Sequence, residues 1–175
     1  MNIYETVKTE RLSLVPIDES FAQEIFNNFT SEITTYMAVR ANDSIDETKI
    51  FIEMCVDQRE NDISYTYAIT STIGNEFLGC CGINKLQDEI PELGIWLKSS
   101  AQGHHYGQEA IGGLILVATE IGLDSLQYFV DKRNTPSKKI AIFYGGKLKG
   151  TFNCISKTGN RLIMETYLIP LPQQV

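Results

Sequence analysis

The stretch Gln102-Gly103-His104-His105-Tyr106-Gly107-Gln108 is the part of this chain whose residue types and spacing could do chemistry. A strand-like run with Ile95, Trp96 and Leu97 leads into it, and a helical pattern with Ile111, Leu114, Ala118 and Ile121 on one face leads out. At such a junction the first N–H groups of the helix have no intrahelical acceptor. With the helix dipole they favour a bound anion, and the natural occupant is a phosphate. Gly103 and Gly107 suit that use, because a residue without Cβ lets the backbone turn through positive φ and lets a ligand approach the amides. His104 and His105 could suggest a metal, but no third ligand is spaced near them, so no metal is expected. In a phosphate loop they flank the anion, and a protonated imidazole would strengthen binding at lower pH.

Several elements must hold this loop in place. Residues 9–17 alternate as a strand around Leu12 and Leu14, and Asp18 reads as the N-cap of a helix carrying Phe21, Ile25 and Phe29. Residues 30–43 have no regular pattern. Ser44-Ile45-Asp46-Glu47 is a capping box, and the helix it opens is expected to bury Ile50, Phe51, Met54 and Cys55. Strands at residues 64–71, 76–83 and 92–98 form an antiparallel meander with a turn at Gly74-Asn75. Gly79 and Gly82 imply a bulge or a close backbone approach.

After the loop, Gly112 and Gly113 imply close packing of the helix on the sheet. The strand at 125–131 should run parallel to 92–98, because a helix separates them. Residues 134–143 form a short helix, with Asn134 as N-cap and Ser137 in its first turn, ended by Gly145-Gly146. Two last strands, 150–155 and 162–169, pair through Gly159-Asn160.

A length of 175 residues predicts one domain spanning 1–175. With 22 acidic residues against 15 Lys plus Arg, the net charge of -7 argues against nucleic-acid binding and favours cationic partners such as amines. No run approaches the roughly 20 apolar residues that span a bilayer, and the start of the chain has no signal pattern, so no membrane association and a cytoplasmic location are expected. Cys55, Cys80, Cys81 and Cys154 read as reduced thiols, with Cys80 and Cys81 on opposite sheet faces. A homodimer is left open.

The loop resembles the acyl-CoA pyrophosphate loop of the GNAT acetyltransferases, Gln/Arg-x-x-Gly-x-Gly/Ala. Here it reads Gln102-Gly103-His104-His105-Tyr106-Gly107, with His105 where the family usually has Gly. Tyr106-Gly107-Gln108-Glu109-Ala110, Glu92-Leu93-Gly94-Ile95-Trp96-Leu97 and Asn134-Thr135-Pro136-Ser137 are similar, in order, to motifs of the RimJ/RimL-like branch. The resemblance implies an α/β (α+β) GNAT fold, with a mixed, mostly antiparallel central sheet, splayed parallel central strands and flanking helices. It implies an N-acetyltransferase that moves an acetyl group from acetyl-CoA, as cosubstrate, to a primary amine acceptor by direct attack. The acceptor would be a protein N-terminus, ribosomal ones included, or a small amine.

On that reading Gln102, Gly103, His104, His105, Tyr106, Gly107 and Gln108 cradle the pyrophosphate, and Ile95, Leu97 and Asn134 meet the pantetheine. Glu92 is the first candidate for the base, with Asp88 and Glu89 equally available by sequence. Ser137 contacts the cofactor's thioester end and is the candidate acid. Arg133, Lys138 and Lys139 could reach the outer phosphate. Many GNAT enzymes carry a Tyr seven residues after the Asn, where this chain has Ala141; Tyr144 lies on a different helix face. The alternative is a non-catalytic acyl-CoA-sensing module. A dinucleotide-binding protein is disfavoured, since no Gly-x-Gly-x-x-Gly follows an early strand.

Overall fold

The strand periods of the sequence close into one eight-stranded sheet in the computed structural model, which describes residues 5–172. Its elements in chain order are β1 (Val7–Lys8), β2 (Leu12–Pro16), α1 (Ala22–Asn28), α2 (Ile45–Glu60), β3 (Tyr65–Ser71), β4 (Phe77–Asn84) and β5 (Glu92–Leu97). After these come α3 (Tyr106–Glu120), β6 (Ser125–Asp131), α4 (Thr135–Phe143), β7 (Lys147–Ile155) and β8 (Arg161–Pro170). The strand order is β1-β2-β3-β4-β5-β6-β8-β7, antiparallel throughout except for β5 and β6. A helix crossover joins those two, as parallel strands require.

Each face of the sheet is covered by two helices. On one side Ala110, Ile111, Leu114, Val117 and Ala118 of α3 and Ala141 of α4 pack on Leu12, Leu14, Tyr67, Ile69, Leu93, Tyr128 and Ile169. On the other, Ala22 and Ile25 of α1 and Ile52 and Cys55 of α2 pack on Ala68, Phe77 and Cys80. Cys80 and Cys81 fall on opposite faces, and all four cysteines are free thiols.

The glycines expected at close approaches are there. A Cβ at Gly79 would overlap Trp96 O, one at Gly82 would lie 2.7 Å from Tyr65 O, and one at Gly113 would lie 2.8 Å from Leu14 Cδ1.

Three expectations need correction. Asp18 caps a 3₁₀ turn, Glu19–Phe21, ahead of α1, its carboxylate accepting from Ser20 N at 2.9 Å. The face that α2 buries is Thr48, Ile52 and Cys55; Ile50 and Met54 are 65% and 48% exposed. Finally, a short strand β1 precedes β2 and pairs with it. Among the described residues no helix is long and apolar enough to cross a membrane, and no cluster of three or more His, Cys, Asp or Glu could hold a metal ion.

Candidate active site

The turn between β5 and α3 leaves its amides free. A 3₁₀ turn, Ser99–Ala101, follows β5, and Gln102 Nε2 donates back to Leu97 O at 3.2 Å, closing the bend onto the strand. Gly103 then takes φ +81° and His105 takes φ +63° as the residue that caps α3, with no side chain accepting from the first turn. The first N–H of the helix to find a backbone acceptor is that of Glu109, which donates to His105 O at 3.1 Å. Among the described residues the N–H groups of 103 through 108 have no acceptor at all. Six successive unpaired amides at the positive end of a 15-residue helix are the groups that coordinate a diphosphate.

Glu109 lies in the first turn of the same helix, where a bare carboxylate would oppose an incoming anion. Its charge is answered from the turn between β1 and β2. Thr9 Oγ1 and Arg11 N donate to Glu109 Oε1 at 2.6 and 2.7 Å, and Arg11 Nε donates to Oε2 at 2.7 Å. Arg11 also donates from Nη1 to His104 O at 3.2 Å and lies 4.8 Å from the centre of the Tyr106 ring. Burial alone would raise the Glu109 carboxyl, but the hydrogen bonds from Thr9 and Arg11 prevail and hold it below its ordinary value. The sequence reading missed Arg11 and Thr9, because about a hundred residues separate them from the helix that they anchor.

Beside this turn the two parallel strands part. Pairing between β5 and β6 is confined to Glu92↔Gln127 and Leu93↔Tyr128, whereas β5 pairs with β4 along its full length, from Glu92↔Asn84 to Leu97↔Gly79. Lys98 N donates to Leu78 O at 2.9 Å, which fixes the alternation: Trp96 and Gly94 also turn their backbone groups to β4. Ile95 and Leu97 therefore turn theirs into the gap. These are the two residues expected to pair with an extended ligand, and their half-buried state in the middle of a sheet marks the opening.

The gap narrows toward the Leu93↔Tyr128 pair, and the other candidate groups flank that end. Asn134 caps α4, its Oδ1 accepting from Ser137 N at 3.3 Å. Ser137 Oγ is 2.5 Å from Tyr128 Oη, and burial pushes the Tyr128 phenol up to about 12. Ser137, Ile140, Ala141 and Tyr144 form one stripe of α4, and the far end of that stripe meets the start of α3. There, Tyr144 Oη donates to Gln108 O at 2.7 Å, and a Cβ at Gly107 would lie 3.0 Å from Ile140 Cδ1.

Glu92 is next to Leu93, but its side chain leaves the opposite face of the sheet, the face of Trp96. It pairs with Lys85 at 3.1 Å. On this face Phe129 and Phe152 meet edge to face at 5.6 Å, and the irregular segment 30–43 arches across. Ser99 Oγ donates to Glu32 Oε2 at 3.2 Å, Arg133 stacks 5.2 Å from the Tyr36 ring, and Lys157 N donates to Ala38 O at 2.9 Å.

The structure revises the roles of several residues. Gly107 does not supply positive φ; it lies within α3, where it lets Ile140, Leu97 and Ile95 close in, and His105 takes the left-handed position instead. Arg133 is bound to the buried Asp131 carboxylate at 2.7 Å, and Lys138 pairs with Glu165 at 2.9 Å, so neither stands free for a phosphate. Tyr144, expected on a different helix face, continues the stripe of Ser137 and Ala141, and it spends its hydroxyl on α3.

A family model described as acetyltransferase (GNAT) domain matches residues 11–147. The N-acetyltransferase p20 of Bacillus licheniformis, itself uncharacterized, is 26% identical over 171 residues, covering 95% of this chain and 96% of its own. Among solved structures, RimL, a ribosomal alpha-N-protein acetyltransferase in complex with coenzyme A, aligns with a TM-score of 0.83 at 17% identity, over 95% of this chain and 98% of its own. The microcin self immunity acetyltransferase MccE, in complex with acetyl-CoA and AMP, aligns at 0.82 and 19%, over 93% and 94%. Those two likenesses speak for the fold, while the family match runs from β2 through α4 and takes in the free amides, the parted strands and the Asn134 cap. The chain belongs to the GNAT acetyltransferase family.

Proposed function

We propose that this protein transfers the acetyl group of acetyl-CoA to a primary amine, a protein N-terminus or a small molecule, by direct attack and within one domain. The observation that carries the reading is the row of six unpaired amides beside a strand whose inner edge is unpaired beyond Leu93, apart from the Leu97 O that Gln102 meets. A diphosphate satisfies the first and an extended amide-bearing arm the second, and acetyl-CoA carries both in one molecule. Bound there, acetyl-CoA supplies an activated thioester.

The chain's residues do the rest. The N–H groups of 103–108 hold the diphosphate. Ile95 and Leu97 guide the arm along β5 toward the closed end of the gap, and a free N–H on that edge faces the oxygen that gains charge. Glu92 lies about 17 Å along the strand from Leu97 at 3.3–3.4 Å per residue, at the closed end and on the acceptor side of the sheet. There it takes the amine's proton, directly or through water. An α-amino group, with a pKa near 7.7–8.0, needs only a modest base. Ser137 approaches from the other face and hydrogen-bonds the departing sulfur.

Direct attack is in keeping with the burial of Cys80 and Cys81 in the central strand β4, which pushes their thiols up. A ribosomal protein N-terminus is one acceptor in keeping with the likeness to RimL. The protein works in the cytoplasm, with neither nucleic acid nor membrane as a partner, and as a monomer or homodimer.

Two measurements test this. Titration calorimetry with acetyl-CoA should give saturable binding, and thiol release should exceed background with at least one class of amine in a panel of N-terminal peptides and small amines. An absence of heat removes the whole reading. Saturable binding without release for any amine would make the protein an acyl-CoA sensor.

A further inference from the structure

We infer that Tyr128 is a positioning residue for the acyl-transfer step, its phenol donating to Ser137 Oγ so that the serine's own proton is turned toward the leaving sulfur. The inference rests on the acetyltransferase reading above and adds a residue to it. Three observations carry it. Tyr128 belongs to the last pair, Leu93↔Tyr128, before β5 and β6 separate, so its side chain rises from the closed end of the gap. Only 3% of it is exposed, and its hydroxyl has one partner, Ser137 Oγ at 2.5 Å. Ser137 is half-buried at the start of α4, on the stripe that reaches across to Gly107 and Gln108 at the mouth of the anion site.

The direction of the bond follows from satisfaction of hydrogens. If Ser137 donated to Tyr128, the phenol hydrogen would be left in the core with no acceptor, an expensive arrangement. If Tyr128 donates, both demands are met. The buried phenol is paired, and the serine hydrogen is free to address a group arriving from the half-exposed side. A phenol is also the stronger donor of the two, and since burial raises Tyr128 further it stays protonated throughout the working pH range.

The chemistry balances without a proton leaving either oxygen. The amine nitrogen forms its bond to the carbonyl carbon, the carbon–sulfur bond breaks, and its electron pair stays on sulfur. The amine's surplus proton leaves on the acceptor side. The sulfur departs as a thiolate held by the Ser137 O–H, which Tyr128 polarises from behind, and takes up a proton from solvent later. An alkyl thiol near 8.5 is a far stronger acid than an alcohol, so a hydrogen bond and not a transfer is what the serine contributes. Ala141 lies one turn beyond Ser137 on the same stripe, is fully buried and offers no hydroxyl there. The phenol in this chain comes from the strand instead.

The test is a double-mutant cycle on the full chain with acetyl-CoA and an accepted amine. Tyr128→Phe, which removes one oxygen, should lower kcat about tenfold while the KM and Kd for acetyl-CoA stay within twofold and the melting temperature changes little. Ser137→Ala should lose at least as much, and Tyr128→Phe made in the Ser137→Ala background should cost nothing further. An unchanged kcat in Tyr128→Phe, or the same tenfold loss with and without Ser137, overturns the inference.

A readout that needs no turnover separates its failure from that of the enzyme reading. In proton NMR of the free protein the buried Tyr128 hydroxyl should exchange slowly in the wild type and shift in Ser137→Ala. A hydroxyl signal indifferent to Ser137 refutes the pairing whatever the activity. Slow exchange with the expected shift, in a protein that releases no thiol, would sustain the pairing and fault the acyl-transfer reading instead.

Discussion

Replacing Glu109 by Gln probes the anchor that lets the start of α3 accept an anion. The substitution keeps an oxygen at the Oε1 position, so the donors at Thr9 Oγ1 and Arg11 N, at 2.6 and 2.7 Å, keep their acceptor. It replaces Oε2 by an NH₂ that faces Arg11 Nε, now 2.7 Å away, and so exchanges one charge-assisted bond for a donor–donor contact. Bonds to charged groups contribute about 1.5–3 kcal/mol. The Arg11 side chain is 45% exposed against 16% for Glu109, so solvent screening brings the expected loss down to about 1–2 kcal/mol. For a chain of this size that is a fall in Tm of about 2–8 °C.

The pH dependence identifies the cause. The folded carboxyl is held below its unfolded value, so its contribution is complete above the ordinary carboxylate range and is lost as the pH falls through the depressed folded value. The gap in Tm between wild type and Glu109→Gln should therefore be full at pH 7 and narrow as the pH falls below the ordinary carboxylate range. Thermal unfolding followed by circular dichroism from pH 3 to 8 measures it. An equal gap at both ends would mean that shape and not charge holds the helix, and no gap at pH 7 would mean that the Arg11 pair contributes nothing. Because Arg11 also holds His104 O, the variant should bind acetyl-CoA several-fold more weakly at pH 7.

Other perturbations separate the parts of the site. Gly103 has φ +81° and nothing within 4 Å of where a Cβ would stand, so Gly103→Val meets no clash and brings only backbone strain, about 1–2 kcal/mol. With open space around it the free turn relaxes to negative φ and meets the strain only on binding, so calorimetry should show acetyl-CoA binding weaker by roughly 5–30-fold, at 1.4 kcal/mol per factor of ten, with Tm nearly unchanged; unaltered affinity would show that the turn need not hold that conformation. Gly107→Val should instead lower both affinity and Tm, since its Cβ alone comes within 3.0 Å of Ile140 Cδ1, and a variant as stable as the wild type would contradict the close packing of α3 on α4. Glu92→Gln should reduce kcat more for a lysine-like amine than for an α-amino group, because the former holds its proton more tightly. An equal loss for both would make Glu92 a strand-end carboxylate serving only Lys85.

The features that could be read from the chain are those whose cause is local. The alternation in β6, the inward stripe of α3, the Ser44 cap and the Asn134 cap all appear where residue spacing puts them, because a neighbour within four residues or one packed face decides each; the return half of the Ser44 box is not made, since the Glu47 carboxylate accepts from Asp43 N at 3.0 Å instead. The errors have distant causes. In α2 the sheet below selects Thr48, Ile52 and Cys55, and Thr48 is acceptable there because its hydroxyl accepts from Asn42 Nδ2 at 2.9 Å; hydrophobicity alone pointed to Ile50 and Met54. Arg11 carries no sign in its own surroundings that its partner is Glu109. Tyr128 did carry one, since a tyrosine at an inward strand position needs a partner for its hydroxyl, yet only the folded arrangement says that the partner is Ser137.

The parting of β5 and β6 was legible only through the family resemblance, because side-chain periodicity sets which face a residue takes and is silent on which neighbour its backbone meets. That separation leaves the inner edge of β5, apart from the Leu97 O that Gln102 meets, without a strand partner in a sheet that is otherwise laddered, and the amides of 103–108 stand unpaired beside it. Each such bond is worth about 0.5–1.5 kcal/mol when made, so a ligand that completes them stabilises the fold as it binds. Recognition of the donor is therefore tied to the same backbone groups that shape the sheet.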